Sequence, residues 1–218
     1  NKPTDNGYYT PTTECLRLNS NEFFTFTDTN SLEYGAPFCV SIWVKNSNVE
    51  SHDGGGGGDA IFHNDILQLR LRTGNNGPNH REYRVRIADN SGIYYEGFIE
   101  VNIPGNEMQT NEWMHIVVNV KSNDDPMELY LNGVRQHGES TSDIEGPIKD
   151  WYQETRTNAN SEQEPYDVTD NNTITFGATY ALFNGWIDRL NVFDYAKSAN
   201  DIYNLYASTF AISQLSTG

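Results

Sequence analysis

Apolar and polar residues alternate along short stretches of this chain. Leu67, Leu69 and Leu71 alternate with Gln68, Arg70 and Arg72, and Tyr83, Val85 and Ile87 alternate with Arg84 and Arg86. A period of two marks a strand with one face in a core and the other turned outward, the habit of antiparallel sheets. The same reading predicts strands over 15–18, 22–26, 60–63, 67–72, 81–88 and 92–101. Gly74-Asn75-Asn76-Gly77-Pro78 and Asp89-Asn90-Ser91-Gly92 mark turns between them. Residues 38–45 and 113–118 are denser apolar runs, each with a Trp, and Asn132-Gly133 after Glu128-Leu129-Tyr130-Leu131 is a strong two-residue hairpin signal.

Residues 173–206 combine two strand patterns with a short helix. The first runs over 174–177 and is broken by Gly177; the second runs over 183–193. Strict alternation puts Trp186, Leu190 and Val192 on one face with Asp188, and Ile187 and Phe193 on the other. That change of register predicts a bulge near Asp188-Arg189. Ser198 and Asp201 have the spacing of a capping box, and Ile202, Leu205 and Tyr206 then fall at i, i+3 and i+4, facing a sheet.

These residues resemble a known family. Phe183-Asn184-Gly185-Trp186-Ile187-Asp188, followed by the Ser198-Ala199…Ile202…Leu205-Tyr206 helix, is similar to the C-terminal signature of laminin-G-like, or concanavalin-A-like, jelly-roll domains. Phe38-Cys39-Val40-Ser41-Ile42-Trp43-Val44-Lys45, Trp113-Met114-His115-Ile116 and Leu129-Tyr130-Leu131-Asn132-Gly133 match further strands of that family in the right order. Cys15-Leu16-Arg17-Leu18 with Phe23-Phe24-Thr25-Phe26 resembles its opening hairpin. The resemblance implies an all-β fold, a two-sheet antiparallel jelly-roll sandwich with one short C-terminal helix. The domain is expected over 14–206, with an arm or linker at 1–13, a long acidic insertion at 139–172, and a tail or linker at 207–218.

A chain of 218 residues suits one such sandwich. Its formal net charge of −16 repels nucleic-acid phosphate and anionic lipid, so neither is an expected partner. No apolar run is long enough to cross a bilayer as a helix. An acidic surface suits saline or calcium-rich surroundings, or is simply a solvated surface. Arg70, Arg72, Arg84 and Arg86 form a basic stripe, read either as a recogniser of carboxylated sugars or, preferably, as structural ion pairs. Cys15 and Cys39 are either bonded or two thiols.

Candidate chemistry sits in loops. Gly54 to Gly58 is a glycine run without the Lys-Ser/Thr of a phosphate cradle, and reads as a surface loop. The glucanase relatives' Glu-x-Asp-x-x-Glu string is missing; Ser142-Asp143-Ile144-Glu145 is the nearest. His80-Arg81-Glu82-Tyr83-Arg84 has the wrong spacing for the lyase relatives' Arg-x-Glu-x-Arg. Catalysis is therefore not expected, and His115 reads as a packed strand histidine. One calcium ion is a candidate cofactor, with Asp53, Asp59, Asn64, Asp65 and Asp170 as oxygen donors. Asp188 is assigned to structure at the bulge. Non-catalytic recognition of a glycan or surface protein is the leading reading. Trp151, Tyr152, Tyr166, Tyr180, Tyr94 and Tyr95 are the candidate sugar platforms. A structural module contacting neighbouring subunits is the alternative. The expected setting is extracellular, at a cell or virion surface.

Overall fold

The computed structural model describes residues 15–19, 22–27, 32–46, 59–73, 80–89, 91–102, 113–137, 145–154, 156–157, 163–164, 173–177 and 183–215. Its strands are β1 (Leu16–Leu18), β2 (Phe24–Thr27), β3 (Phe38–Asn46), β4 (Asp59–His63), β5 (Leu67–Thr73), β6 (His80–Ala88) and β7 (Tyr94–Asn102). They continue with β8 (Trp113–Val120), β9 (Glu128–Leu131), β10 (Val134–Arg135), β11 (Tyr152–Glu154), β12 (Arg156–Thr157), β13 (Gln163–Glu164), β14 (Thr173–Phe176) and β15 (Gly185–Phe193). One helix, α1, spans Ala199–Leu215.

The strands form a six-stranded sheet, β1-β15-β3-β8-β9-β10, and a seven-stranded sheet, β11-β7-β6-β5-β4-β14-β2, with β12 and β13 paired separately. Every described pairing is antiparallel within them, as the jelly roll requires. The core lies between the layers. Phe38, Val40, Ile42 and Val44 of β3 and Ile116, Val118 and Val120 of β8 meet Leu67, Leu69 and Leu71 of β5 and Tyr83, Val85 and Ile87 of β6. The period-two patterns point these residues inward, so their partners Gln68, Arg70, Arg84 and Arg86 share the opposite face of the seven-stranded sheet.

A second, smaller core lies outside the six-stranded sheet, where Ile202 of α1 packs on Cys39, Val117 and Tyr130. Ser198 caps this helix: its Oγ accepts the Asp201 N–H at 3.2 Å and donates to Asp201 Oδ2 at 2.6 Å. That bond holds the Asp201 carboxyl below its usual range. Asn119 anchors the entry to α1. Its Nδ2 donates to the Lys197 carbonyl at 3.1 Å, and its Oδ1 accepts the Lys197 N–H at 2.9 Å.

The predicted bulge is present. The β15–β3 register shifts between Asp188 and Asn191, and Arg189 takes a positive φ of 48°. At the β9–β10 turn, Asn132 and Gly133 have φ of 50° and 75°, as a two-residue hairpin of this type requires.

Three expectations need correction. The opening hairpin does not form: β1 pairs with β15 and β2 with β14, in different sheets. Each strand completes a distant edge instead of pairing with its neighbour. The helix does not stop at 206; it continues to Leu215 and takes up most of the expected tail, because no Gly or Pro interrupts the chain before it. The insertion at 139–172 is also less irregular than its sequence. It contributes a 3-10 turn at Ile148–Asp150, and β11 extends the seven-stranded sheet by pairing with β7. Backbone pairing needs no apolar period, which is why the pattern did not show it.

Candidate functional site

Two outward faces carry the chain's recognisable side-chain chemistry. On the seven-stranded sheet, Arg84 Nε donates to Glu82 Oε1 at 3.0 Å and Arg84 Nη1 donates to Glu96 Oε1 at 2.8 Å. Arg86 Nε reaches the other oxygen of Glu96. Neighbouring strands place these residues side by side: Arg70 pairs across from Arg84, and Arg86 from Glu96. Arg70 Nη2 donates to Gln68 Oε1 at 3.0 Å, and the Gln68 amide donates to His63 Nε2 at 3.2 Å. Burial, with the Arg70 and Arg86 charges adding to it, pushes the His63 pKa down to about 4, so this imidazole is neutral at pH 7. The face is thus a lattice of polar groups in mutual contact. The preferred reading of the arginine stripe, ion pairing, holds for Arg84 and Arg86; the Arg72 side chain lies outside the described residues.

The six predicted aromatic platforms separate. Trp151 is a core residue, 5% exposed, and this corrects its assignment as a sugar platform. Its indole N–H donates to the Gly146 carbonyl at 3.1 Å. Its ring covers Gly97, where an added Cβ would lie 2.8 Å from Cε3. A glycine strand position opposite a Trp leaves room for the ring and none for a sugar between them. Tyr94 is also corrected: it is 3% exposed, and its hydroxyl donates to the Asp65 carbonyl at 3.3 Å. Tyr95 stacks on Tyr34 with ring centroids 5.6 Å apart. Tyr152, by contrast, is 68% exposed on edge strand β11, directly across from Glu96. Tyr166 and Tyr180 lie outside the described residues.

The candidate calcium donors also separate. Asn64 is buried, and its Oδ1 accepts the Ile66 N–H at 2.8 Å, which shapes the β4–β5 turn. Asp65 is half-buried in the same turn. Asp53, Asp170 and the Asp59 side chain lie outside the described residues. Among the described residues, no three His, Cys, Asp or Glu side chains converge on one point.

The second face belongs to the six-stranded sheet. Under α1, Trp43, His115 and Tyr206 stack, with centroids 5.0 Å apart for Trp43–His115 and 5.8 Å for Trp43–Tyr206. His115 Nε2 shares a 2.8 Å hydrogen bond with Ser41 Oγ, and burial pushes its pKa down to about 4. Its position as a packed strand histidine follows. Cys39 is buried in the Ile202 cluster with its thiol pushed up to about 12, and neither cysteine is bonded. Asp188 is buried opposite Trp43, at the last register before the bulge. One step further along the strands, Arg17, Trp186, Lys45 and Trp113 sit in register across β1, β15, β3 and β8. The Arg17 guanidinium lies 5.1 Å and the Lys45 ammonium 5.0 Å from the Trp186 ring centroid. Sequence reading missed this row. Alternation on β15 put Trp186 on the face opposite Ile187, but nothing local says which face is outward or which strands flank it.

With both faces described, the class is defined: a two-layer antiparallel sandwich with a polar sheet face and a helix closing the other. The chain belongs to the concanavalin A-like lectin/glucanases superfamily, whose laminin-G-type family model matches residues 18–155. No curated protein matches it in sequence. Among solved structures, it is similar to the receptor-binding domain of botulinum neurotoxin C/D mosaic serotype. The TM-score is 0.60 at 20% identity, over 92% of this chain and 44% of that one. It is also similar to the binding domain of botulinum neurotoxin DC in complex with rat synaptotagmin II, with TM-score 0.53, 16% identity, and 86% and 40% coverage. A third is domain 4 of an extracellular arabinanase from Geobacillus stearothermophilus in complex with arabinotriose. Its TM-score is 0.50 at 16% identity, over 88% of this chain and 76% of that one. The chain thus spans less than half the length of the toxin domains, and these likenesses show the fold.

Proposed function

We propose that this is a non-catalytic recognition domain that binds saccharide on the outer face of its seven-stranded sheet, in an extracellular setting. The observation that carries the reading is Tyr152. An exposed ring beside a carboxylate oriented by two guanidinium groups is the arrangement a pyranose needs: an apolar face to stack on and fixed acceptors for hydroxyls. The complexes of the similar folds, one with a protein and one with arabinotriose, are consistent with a binding role. Glu82 and Glu96 are engaged by arginines rather than facing each other across a cleft, so we do not read them as an acid–base pair.

A second reading has one specific observation behind it. His63, Gln68 and Arg70 form one hydrogen-bonded row on this face, and such a row of polar side chains is what a polysaccharide-cleaving enzyme would use to hold a sugar and move its proton.

A glycan array, run with calcium and with chelator, tests the first reading against Tyr152→Ala. The reading expects specific binding that falls roughly two- to ten-fold in the variant, since one aromatic stack is worth about 0.5–1.5 kcal/mol. Binding unaffected by chelation removes calcium from the reading. Release of sugar chain ends, lost in His63→Ala, would replace recognition with cleavage. Silence on the array, with a protein ligand captured through the same face, would replace saccharide with protein.

A further inference from the structure

We propose that the cross-strand row Arg17–Trp186–Lys45, on the six-stranded sheet, is a binding site for a saccharide that carries a carboxylate. It rests on the reading of the domain as a saccharide binder, but uses the opposite layer of the sandwich.

The chain has 30 acidic and 14 basic residues, so a cation in this protein has acids to pair with. Arg84, Arg86, Lys121 and Lys149 each have a carboxylate within 3.0 Å. Arg17 and Lys45 have none among the described residues; each lies instead against the indole of Trp186. Two cations left to an aromatic ring in an acidic chain make a local positive spot, and such a spot recognises an anion.

Geometry then limits the ligand. Both cationic heads lie near 5 Å from one ring centroid, so they are no more than about 10 Å apart. A carboxylate and an adjacent hydroxyl on one sugar ring bridge such a gap. The row is fixed from below. At Gly185 the backbones come so close that an added Cβ would sit 2.1 Å from the Lys45 carbonyl oxygen. Register holds Trp186 between Arg17 and Lys45, and Lys45 between Trp186 and Trp113. Arg17 is exposed, and Lys45, Trp186 and Trp113 are half-buried, so the row is open to a ligand.

The field of the whole molecule selects the class. A net charge of −16 repels a long polyanion, whose charges extend past the row, whereas screening beyond about 8 Å spares a small singly charged sugar. Nucleic acid and highly sulfated chains are thereby disfavoured and a uronic-acid-type sugar favoured. The part of the half-buried indole left exposed between the two cations adds contact area for a sugar's C–H groups.

The test uses the whole chain and three singly charged probes, methyl galacturonide, methyl glucuronide and sialyllactose, titrated by calorimetry at about 0.15 M salt and again at about 1 M. The methyl ester of the galacturonide and hexaglutamate serve as comparison ligands. The proposal expects at least one acidic sugar to bind, with affinity down ten-fold or more on esterification, in Arg17→Gln/Lys45→Gln, and on raising salt. Trp186→Phe should weaken binding less than the double variant. Tyr152→Ala should leave this binding unchanged while losing the array signal of the other face, which separates failure of one site from failure of the other. The proposal is overturned if all three sugars are silent, if the ester binds as well as the acid, or if the double variant binds normally. Preferential binding of hexaglutamate also overturns it, in favour of an acidic peptide. Melting temperatures of all variants within a few degrees of the parent establish that lost binding is not lost folding.

Discussion

On the seven-stranded sheet the described guanidinium groups meet oxygens: Arg84 and Arg86 hold Glu82 and Glu96, and Arg70 holds Gln68. On the six-stranded sheet Arg17 and Lys45 meet an indole instead. Both sets are basic residues on outward strand positions. What differs is the neighbour across the strand. Arg86 is in register with Glu96, and Lys45 with Trp186 and Trp113. The first arrangement neutralises its own charges and leaves the exposed Tyr152 at its edge for a neutral ligand. The second leaves charge available to a ligand.

Removing the acid that serves two arginines should break that contrast most severely. Glu96→Ala leaves Arg84 short of one partner and Arg86 beside an empty position on a mostly buried face. A loss of about 3 kcal/mol in urea unfolding is expected. A change under 1 kcal/mol would make the lattice ornamental and bring the two faces closer in kind.

Next comes the helix that closes part of the six-stranded face. Ile202→Ala empties a position packed on Cys39, Val117 and Tyr130, and should cost about 2–4 kcal/mol. Hydrogen exchange should locate the loosening in α1 and β3 rather than in β5 and β6.

Acidification probes both faces together. Burial holds the folded-state pKa of His63 and His115 down to about 4, below the ordinary value of 6.5. The unfolded chain therefore takes up protons first. Their contribution is fully present above about pH 6.5 and is lost as pH falls toward 4, by up to roughly 3 kcal/mol for His115. His115→Gln should flatten that part of the stability–pH curve through the α1 side, and His63→Gln through the arginine lattice. An unchanged slope in both variants would contradict the buried neutral assignment.

The smallest effect on stability is expected at the open row. Arg17→Gln should shift unfolding by less than about 1 kcal/mol, the worth of one exposed cation–π contact, since it has no carboxylate partner among the described residues. A loss as large as that of Glu96→Ala would mean that the row, too, is structural.

Much of the fold was legible in the chain because strand patterning is local. The alternation of Leu67, Leu69 and Leu71, the Asn132-Gly133 turn, the change of register at Asp188-Arg189 and the Ser198–Asp201 cap each express their physics within a few residues. The sites were much less legible. Trp151 and Tyr152 are adjacent and both aromatic, yet one fills the space over Gly97 and the other faces outward from β11. Which is which depends on the strand that receives them.

The amino-acid order alone specified that period-two strands bury one face, so two layers had to stack, and that a capped amphipathic segment would end on one of them. Only tertiary structure decided which side chains became neighbours. Pairings such as β1 with β15 or β11 with β7 join segments far apart in the chain, and cross-strand register, not composition, sets whether a cation meets an acid or an indole.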